Sequence, residues 1–241
     1  MVLRDQDPRL PFVISGVVLL LTTLALSKVE QGIADDPAAK PGPPAKPLSA
    51  VPIVFIVAMI ILSLGFQLHF AINSTPLYRR FAEASDLQWL MPVFWIGFNI
   101  AMFPASLVVK HHGGLIVIGA AGLLGALAVV GAELAGSLNV LLVAQFLAGA
   151  AWGCMLMSAV SAALAIGETG AEGKVVGLVF SALALATFAR MAAVAGGLQK
   201  LPEYAPLLQW APVACWAVAG AGLLAIAASR MQTRVTASAG E

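Results

Sequence analysis

Apolar residues gather into seven long stretches along this chain, and the mostly short loops between them hold almost every charge. Val51–Ile72 and Leu138–Ile166 contain no Asp, Glu, Lys or Arg. A helix of about 20 apolar residues is long enough to cross the hydrocarbon layer of a bilayer. The seven stretches are Leu10–Leu26, Val51–Ile72, Gln88–Val109, Leu115–Gly131, Leu138–Ile166, Val175–Leu198 and Leu207–Ala228.

None of these stretches alternates apolar and polar residues as the strands of a membrane barrel do. A segment in lipid must form its backbone hydrogen bonds internally, so each stretch is predicted to be a helix. We therefore predict an all-α integral membrane protein with seven transmembrane helices.

The connection after the first stretch differs from the others, because residues 36–48 contain five prolines. Such a chain favours an extended, semi-rigid linker. A cleaved signal peptide is the alternative for the first stretch, but Asp5 and Asp7 dilute its basic start and no convincing cleavage site follows. The predicted segments are a first transmembrane helix in 1–27, a Pro-rich cytoplasmic linker in 28–50, a six-helix membrane unit in 51–229 and a polar tail in 230–241.

Composition agrees with membrane insertion, since 60% of residues are hydrophobic and 10% are charged, against roughly 25% charged in soluble domains. The formal net charge of +1 gives no basic excess, so we expect membrane lipid and not nucleic acid as a partner. Cys154 and Cys215 lie within apolar stretches and are predicted to pack there. No nucleophile–base pair, phosphate loop or metal spacing is found, so we expect neither catalysis nor a cofactor.

Basic residues set the expected orientation. With the linker and the C-terminus in the cytoplasm, seven Lys and Arg face that side and five face the other. The seven are Lys28, Lys40, Lys46, Lys110, Lys174, Arg230 and Arg234, and the five are Arg4, Arg9, Arg79, Arg80 and Lys200.

Polar residues within the stretches are unevenly distributed. Leu115–Gly131 and Leu207–Ala228 are almost wholly apolar, so we expect them to face lipid over much of their surface. Polar groups in the other stretches of the six-helix unit are expected to face the bundle interior or a wet cavity. The order is polar, polar, apolar, and then the same again, which indicates a three-helix pattern used twice.

This order, together with the preceding Pro-rich linker, resembles the C-terminal half of a major facilitator superfamily transporter plus the last helix of its N-terminal half. Pro11–Gly16 is similar to the start of the family's sixth helix, and Phe103–Gly114 stands where the family repeats a G-x-L-x-D-R-x-G-R-R loop. Val109 occupies the acidic position of that loop, and the trailing basic pair is missing. The resemblance implies two inverted three-helix repeats, with substrate bound between two halves.

Seven helices are fewer than the twelve or so that such a transporter needs. The resemblance therefore implies a transporter half that moves a small polar or anionic solute by alternating access, in a bacterial inner (plasma) membrane. A complementary half or a second copy of the chain would complete it. The alternatives are a non-transporting accessory or scaffold subunit, or a truncated transporter.

Candidate solute contacts lie in the polar stretches. Ser63 and Gln67 are four residues apart, as are His69 and Asn73, so each pair is predicted to share a helix face. Each of these groups equally suits hydrogen bonding between helices. The full candidate set is Gln67, His69, Asn73, Trp95, Asn99, Gln145, Trp152 and Arg190.

Arg190 is the full charge deepest in a stretch, which favours an anionic partner. Snorkelling to the interface, or pairing with Glu133, is the alternative. Trp95 and Trp152 suit packing as well as ligand contact. Gly149 and Gly153 have the G-x-x-x-G spacing that permits close helix approach.

Overall fold

The computed structural model describes residues 10–34, 50–167 and 171–238, and every regular element within them is helical. The all-α class is thus confirmed for this part of the chain. Six helices are long and apolar enough to cross a membrane, which indicates an integral membrane protein. In chain order the helices are α1 (Leu10–Ala34), α2 (Ala50–Tyr78), α3 (Leu87–His112), α4 (Gly114–Glu133), α5 (Leu138–Ile166), α6 (Glu172–Ala195) and α7 (Pro202–Arg230).

Helix α1 belongs to one unit, Met1–Pro44, whereas α2–α7 belong to a second, Ala45–Glu241. The helix predicted over Leu10–Leu26 is confirmed, but it continues to Ala34 and so includes residues assigned to the linker. No proline lies between Pro11, in the first turn, and Pro37, so no proline interrupts the helix before its end. The rest of the predicted linker, residues 35–49, lies outside the described part. A seventh membrane span at α1 remains a prediction.

Residues assigned to the polar C-terminal tail also prolong a helix. The last α-helix runs over Ala205–Ser238, beyond the apolar span α7. The predicted tail is therefore helical as far as residue 238, and the three residues after it lie outside the described part.

Two helices of the six-helix unit have the most neighbours. Helix α5 packs against α3 and α4, and α2 packs against α7 and α6, while α4 and α7 pack on each other. The contact of α3 with α5 depends on small residues. A Cβ atom added at Gly149 would overlap the backbone carbonyl of Phe94, and one at Gly153 would overlap that of Phe98. The predicted close approach at this G-x-x-x-G spacing is confirmed.

Helix α4 departs from the expectation of a largely lipid-facing helix, since half of it is buried. Its small residues let the helix approach α7 closely. A Cβ atom at Gly122 would lie 3.1 Å from Cα of Gly220, and one at Gly125 would meet the indole of Trp216. Only the opposite side fits the expectation, since Leu124 and Leu127 are about two-thirds exposed. The apolar composition of α4 thus reflects helix packing as well as lipid contact.

The least buried spans are α3 and α6. Helix α3 exposes Ile100 and Phe103, and α6 exposes Phe180 and Phe188, each by more than half of its surface. These apolar faces are available to lipid or to another membrane helix.

Candidate functional site

The last third of α2 is not a regular α-helix. An α-helical part over Ala50–Phe66 gives way to a π-helical segment over Gln67–Asn73, and a short α-helical turn, Ser74–Tyr78, completes the span. The carbonyl of His69 accepts hydrogen bonds from both the backbone N–H and the hydroxyl of Ser74, the latter at 3.0 Å. Widened π turns are rare in proteins, and those that do occur are often found at functional sites. The segment coincides with the polar run that carries three candidate residues.

Three side chains form a closed hydrogen-bond ring between α2 and α5. Gln145 donates from Nε2 to the hydroxyl of Ser74 at 3.2 Å, so its Oε1 is the acceptor that faces Nε2 of His69 at 3.1 Å. The hydroxyl of Ser74 closes the ring on the carbonyl of His69. His69 and Gln145 are completely buried, and Nδ1 of His69 has no hydrogen-bond partner. The ring fixes the π segment against α5.

Gln67 and Arg190 lie near the contact of α2 with α6. Gln67 donates from Nε2 to the hydroxyl of Thr187 at 2.8 Å, and Thr187 donates to the carbonyl of Leu183. Arg190 lies three residues beyond Thr187 and is half-buried. Its Nε is shielded from solvent and has no hydrogen-bond partner. The hydrogen bond between Gln67 and Thr187 is a second polar contact, on the side of α2 that faces α6, and Arg190 lies about one turn beyond it on α6.

A third polar group lies where the ends of α2 and α4 meet the start of α7. Asn73 donates from Nδ2 to the carbonyl of Leu208 at 2.9 Å. Gln209 donates from Nε2 to Oε2 of Glu133 at 3.0 Å, and Arg80 donates from Nη1 to the backbone carbonyl of Glu133 at 3.0 Å. The Glu133 side chain is only 6% exposed, and its Oε1 has no partner.

A cavity of about 650 Å³ opens beside this third group. Its polar lining residues are Asn73, Thr75, Arg80, Glu133, Gln199 and Gln209. A second hollow, of about 740 Å³, lies between α4 and α5. Asn139 is the one amide among the Ala, Val, Leu, Gly and Cys residues that line it. Of these two cavities, the first offers a solute more hydrogen-bond partners.

Aromatic side chains stack in a column beside the polar ring. Trp152 lies parallel to Phe66, with ring centroids 4.5 Å apart, and parallel to Trp216 at 6.4 Å. The indole N–H of Trp216 donates to the carbonyl of Leu62 at 2.9 Å. Trp152 is 2% exposed, so the structure gives it a packing position rather than a surface that a solute would reach.

The remaining candidates lie elsewhere on α3. Asn99 is exposed and donates from Nδ2 to the carbonyl of Trp95 at 2.7 Å. Trp95 is 38% exposed and packs its ring edge-on against Phe70 at 5.1 Å. Their place in a solute cavity therefore depends on whatever covers this face of α3.

Two relationships expected from the sequence differ in the structure. His69 and Asn73 both point inward, but they reach different helices, α5 and α7, because the backbone between them is π-helical. The alternative pairing of Arg190 with Glu133 is wrong. The carboxyl group of Glu133 accepts its hydrogen bond from Gln209, on another helix.

Sequence reasoning missed Arg80, Gln209 and the cavity role of Glu133. A signal existed for Glu133, because it is the single acidic residue of α4 and ends a long apolar helix. Gln209 similarly stands near the start of an apolar stretch. Their proximity could not be inferred, since 76 residues separate Gln209 from Glu133 in the chain.

No protein-family model matches this chain, and neither a curated protein nor a solved structure matches it. Its function must therefore be inferred from its own residues and packing.

Proposed function

We propose that this chain is one half of a major facilitator type transporter, which moves a small polar or anionic solute by alternating access in a bacterial inner membrane. The observation that carries the proposal is the pattern of helix neighbours. Helix α3 packs on α5 as α6 packs on α2, and α4 packs on α5 as α7 packs on α2. Exchanging α2–α4 with α5–α7 preserves these contacts, although α5 also packs on α6 and the backbone of α2 has no comparable contact with that of α3. That exchange supports two three-helix repeats of the kind found in such transporters.

The distribution of polar groups supports the same proposal. Uncharged polar and ionisable residues are costly in a membrane and commonly mark substrate or ion pathways. Gln67 and Thr187 give α2 and α6 a polar contact, and Arg190, three residues beyond Thr187, carries a guanidinium suited to an anionic group. The ring that links His69 to Gln145 joins the leading helices of the two proposed repeats. A solute would meet Gln67 and Arg190, and the ring of His69, Gln145 and Ser74 would hold the two repeats together.

The partner half would cover the apolar faces of α3 and α6. Both helices are mostly exposed, although each carries polar candidates that a transporter would enclose. A photo-crosslinking amino acid at Ile100 on α3 or Phe188 on α6 is expected to capture a membrane partner or a second copy. The same amino acid at Leu127 on α4 is the matched control, since that side chain is similarly exposed. Equal capture at all three positions would contradict the proposed interface.

Uptake tests the transport step. Membrane vesicles that contain the chain and its partners would be compared, by metabolite profiling, with vesicles that lack it. For a solute that accumulates only with the chain, we expect Arg190→Gln and Gln67→Ala to lower the uptake rate about tenfold while membrane insertion is unchanged. Lys200→Gln is the control, because this exposed lysine lies outside the polar contact. Normal uptake in both variants would remove these residues from the solute path.

A non-transporting scaffold subunit is the second candidate, and one observation favours it. His69, Gln145 and Trp152 are almost completely buried and line neither of the two cavities described above. A bundle locked by a closed hydrogen-bond ring and stacked aromatics suits a rigid support. The crosslinking experiment separates the candidates, because a scaffold would be captured by an unrelated membrane complex.

A further inference from the structure

The carboxyl group of Glu133 uses only part of its hydrogen-bonding capacity. It lies at the end of α4, is nine-tenths buried and borders the 650 Å³ cavity. Oε2 accepts from Gln209, whereas Oε1 has no partner. A buried carboxyl oxygen without a donor is costly. A donor that enters the cavity can satisfy the group once the side chain turns Oε1 toward it.

Arg80 brings an opposite charge to the same cavity, close enough to attract the Glu133 carboxyl group, although its hydrogen bond goes to the backbone. Its Nη1 donates to the backbone carbonyl of Glu133, and its guanidinium lies over the ring of Phe81 at 5.5 Å. Guanidinium carries five N–H donors, so others remain for a ligand. The planar group binds carboxylates well because it can make two parallel hydrogen bonds. The cavity therefore offers one acidic and one basic group side by side.

Neutral hydrogen-bonding groups occupy the rest of the polar lining. Gln199 is exposed, and Thr75 lies on the rim, also exposed. Asn73 and Gln209 are anchored by their hydrogen bonds to α7 and α4. The cavity is also lined by Ala71, Ile72, Pro76, Leu77, Ala205 and Leu208. Such a site favours a small ligand that carries both charges on a short apolar body.

We propose that this cavity binds a small zwitterionic solute of the amino-acid type, with its ammonium group on Glu133 and its carboxylate on Arg80. The binding stands on the cavity alone and does not depend on the transport function proposed above. Its lining includes neither Gln67 nor Arg190, so loss of uptake and loss of this binding are separate results.

Three probes of matched size test the proposal on the full purified chain in detergent at neutral pH. L-alanine carries both charges, ethylamine lacks the carboxylate and propionate lacks the ammonium group. Isothermal titration is expected to show that L-alanine binds at least tenfold more tightly than either single-charge probe, since each of those probes lacks one charge-assisted hydrogen bond. Equal binding of the three probes, or tighter binding of ethylamine, would overturn the zwitterion assignment. So would no binding of any probe.

Variants then assign the two charges. Glu133→Gln keeps the size of the side chain, and Arg80→Gln changes an exposed residue, so both proteins are expected to fold. Each should lower L-alanine affinity at least tenfold. Glu203→Gln and Arg79→Gln are matched controls, because both residues are exposed near the same end of the bundle and do not line the cavity. Affinity unchanged in Glu133→Gln and Arg80→Gln, or lowered equally in the controls, would refute the site.

Discussion

Nε2 of His69 lies 3.1 Å from Oε1 of Gln145, and the two residues are 76 positions apart in the chain. This hydrogen bond joins the π segment of α2 to α5 in a completely buried environment. The opposite end of the Gln145 amide donates to Ser74, whose hydroxyl bonds to the His69 carbonyl. Each member of the ring therefore orients the next, so removing one member leaves its neighbours without their partners.

A double-mutant cycle measures this coupling. His69→Leu and Gln145→Leu should each lower the free energy of unfolding by about 1–2 kcal/mol, because each leaves a buried polar group unpaired. The double variant should cost less than the sum of the two, with a coupling of about 1 kcal/mol. Reversible unfolding in mixed detergent micelles is the measurement.

Ser181→Ala provides the control for that cycle. The Ser181 hydroxyl bonds only to the carbonyl of Gly177 on its own helix and is exposed. Its removal should change stability by no more than about 0.5 kcal/mol. Strict additivity of the two leucine variants would show that His69 and Gln145 do not stabilise each other.

Glycine substitutions distinguish close helix packing from open helix surface. Gly149→Ala should destabilise the bundle by more than 1 kcal/mol, since the new methyl group would overlap the Phe94 carbonyl on α3. Gly177→Ala on α6 is the matched change, because nothing lies within 4 Å of its added Cβ atom. There alanine should be neutral or stabilise the helix by about 0.5–1 kcal/mol. Thermal unfolding in detergent compares them, and equal effects would contradict the packing described for Gly149.

The spans themselves were largely predictable from the sequence, because apolar length alone determines where a chain can cross a bilayer. The stretch predicted over Leu138–Ile166 has the bounds of α5. The close approach of another helix to α5 followed from the spacing of Gly149 and Gly153, whereas the identity of that helix, α3, did not. By contrast, the π segment follows from no periodicity in the sequence, since it depends on the Ser74 hydroxyl and on Gln145 from a distant helix.

The candidate site was predictable in part. His69, Asn73 and Gln145 are polar residues in apolar stretches, and all three are buried as such residues usually are. The cavity at Glu133 was missed because its residues lie at span ends, where a charge or an amide is ordinary. Only tertiary packing reveals that Glu133 is buried there with an unpaired oxygen.

Cysteine labelling tests the membrane arrangement of the bundle. With Cys154 and Cys215 replaced by serine, Ser85→Cys and Ser137→Cys should react with an impermeant maleimide from the non-cytoplasmic side. His112→Cys should react only from the cytoplasmic side, because α3 lies between it and Ser85. Reaction of all three from one side would contradict the crossing of the membrane by α3 and α4.

The most direct test of the half-transporter is the composition of the complex in its native membrane. The tagged chain would be purified in mild detergent, and its companions identified by mass spectrometry and counted by native mass. We predict one stoichiometric companion, either a membrane protein with five or six complementary helices or a second copy of this chain. A lone monomer, or capture of an unrelated membrane complex through α3 and α6, would contradict this prediction.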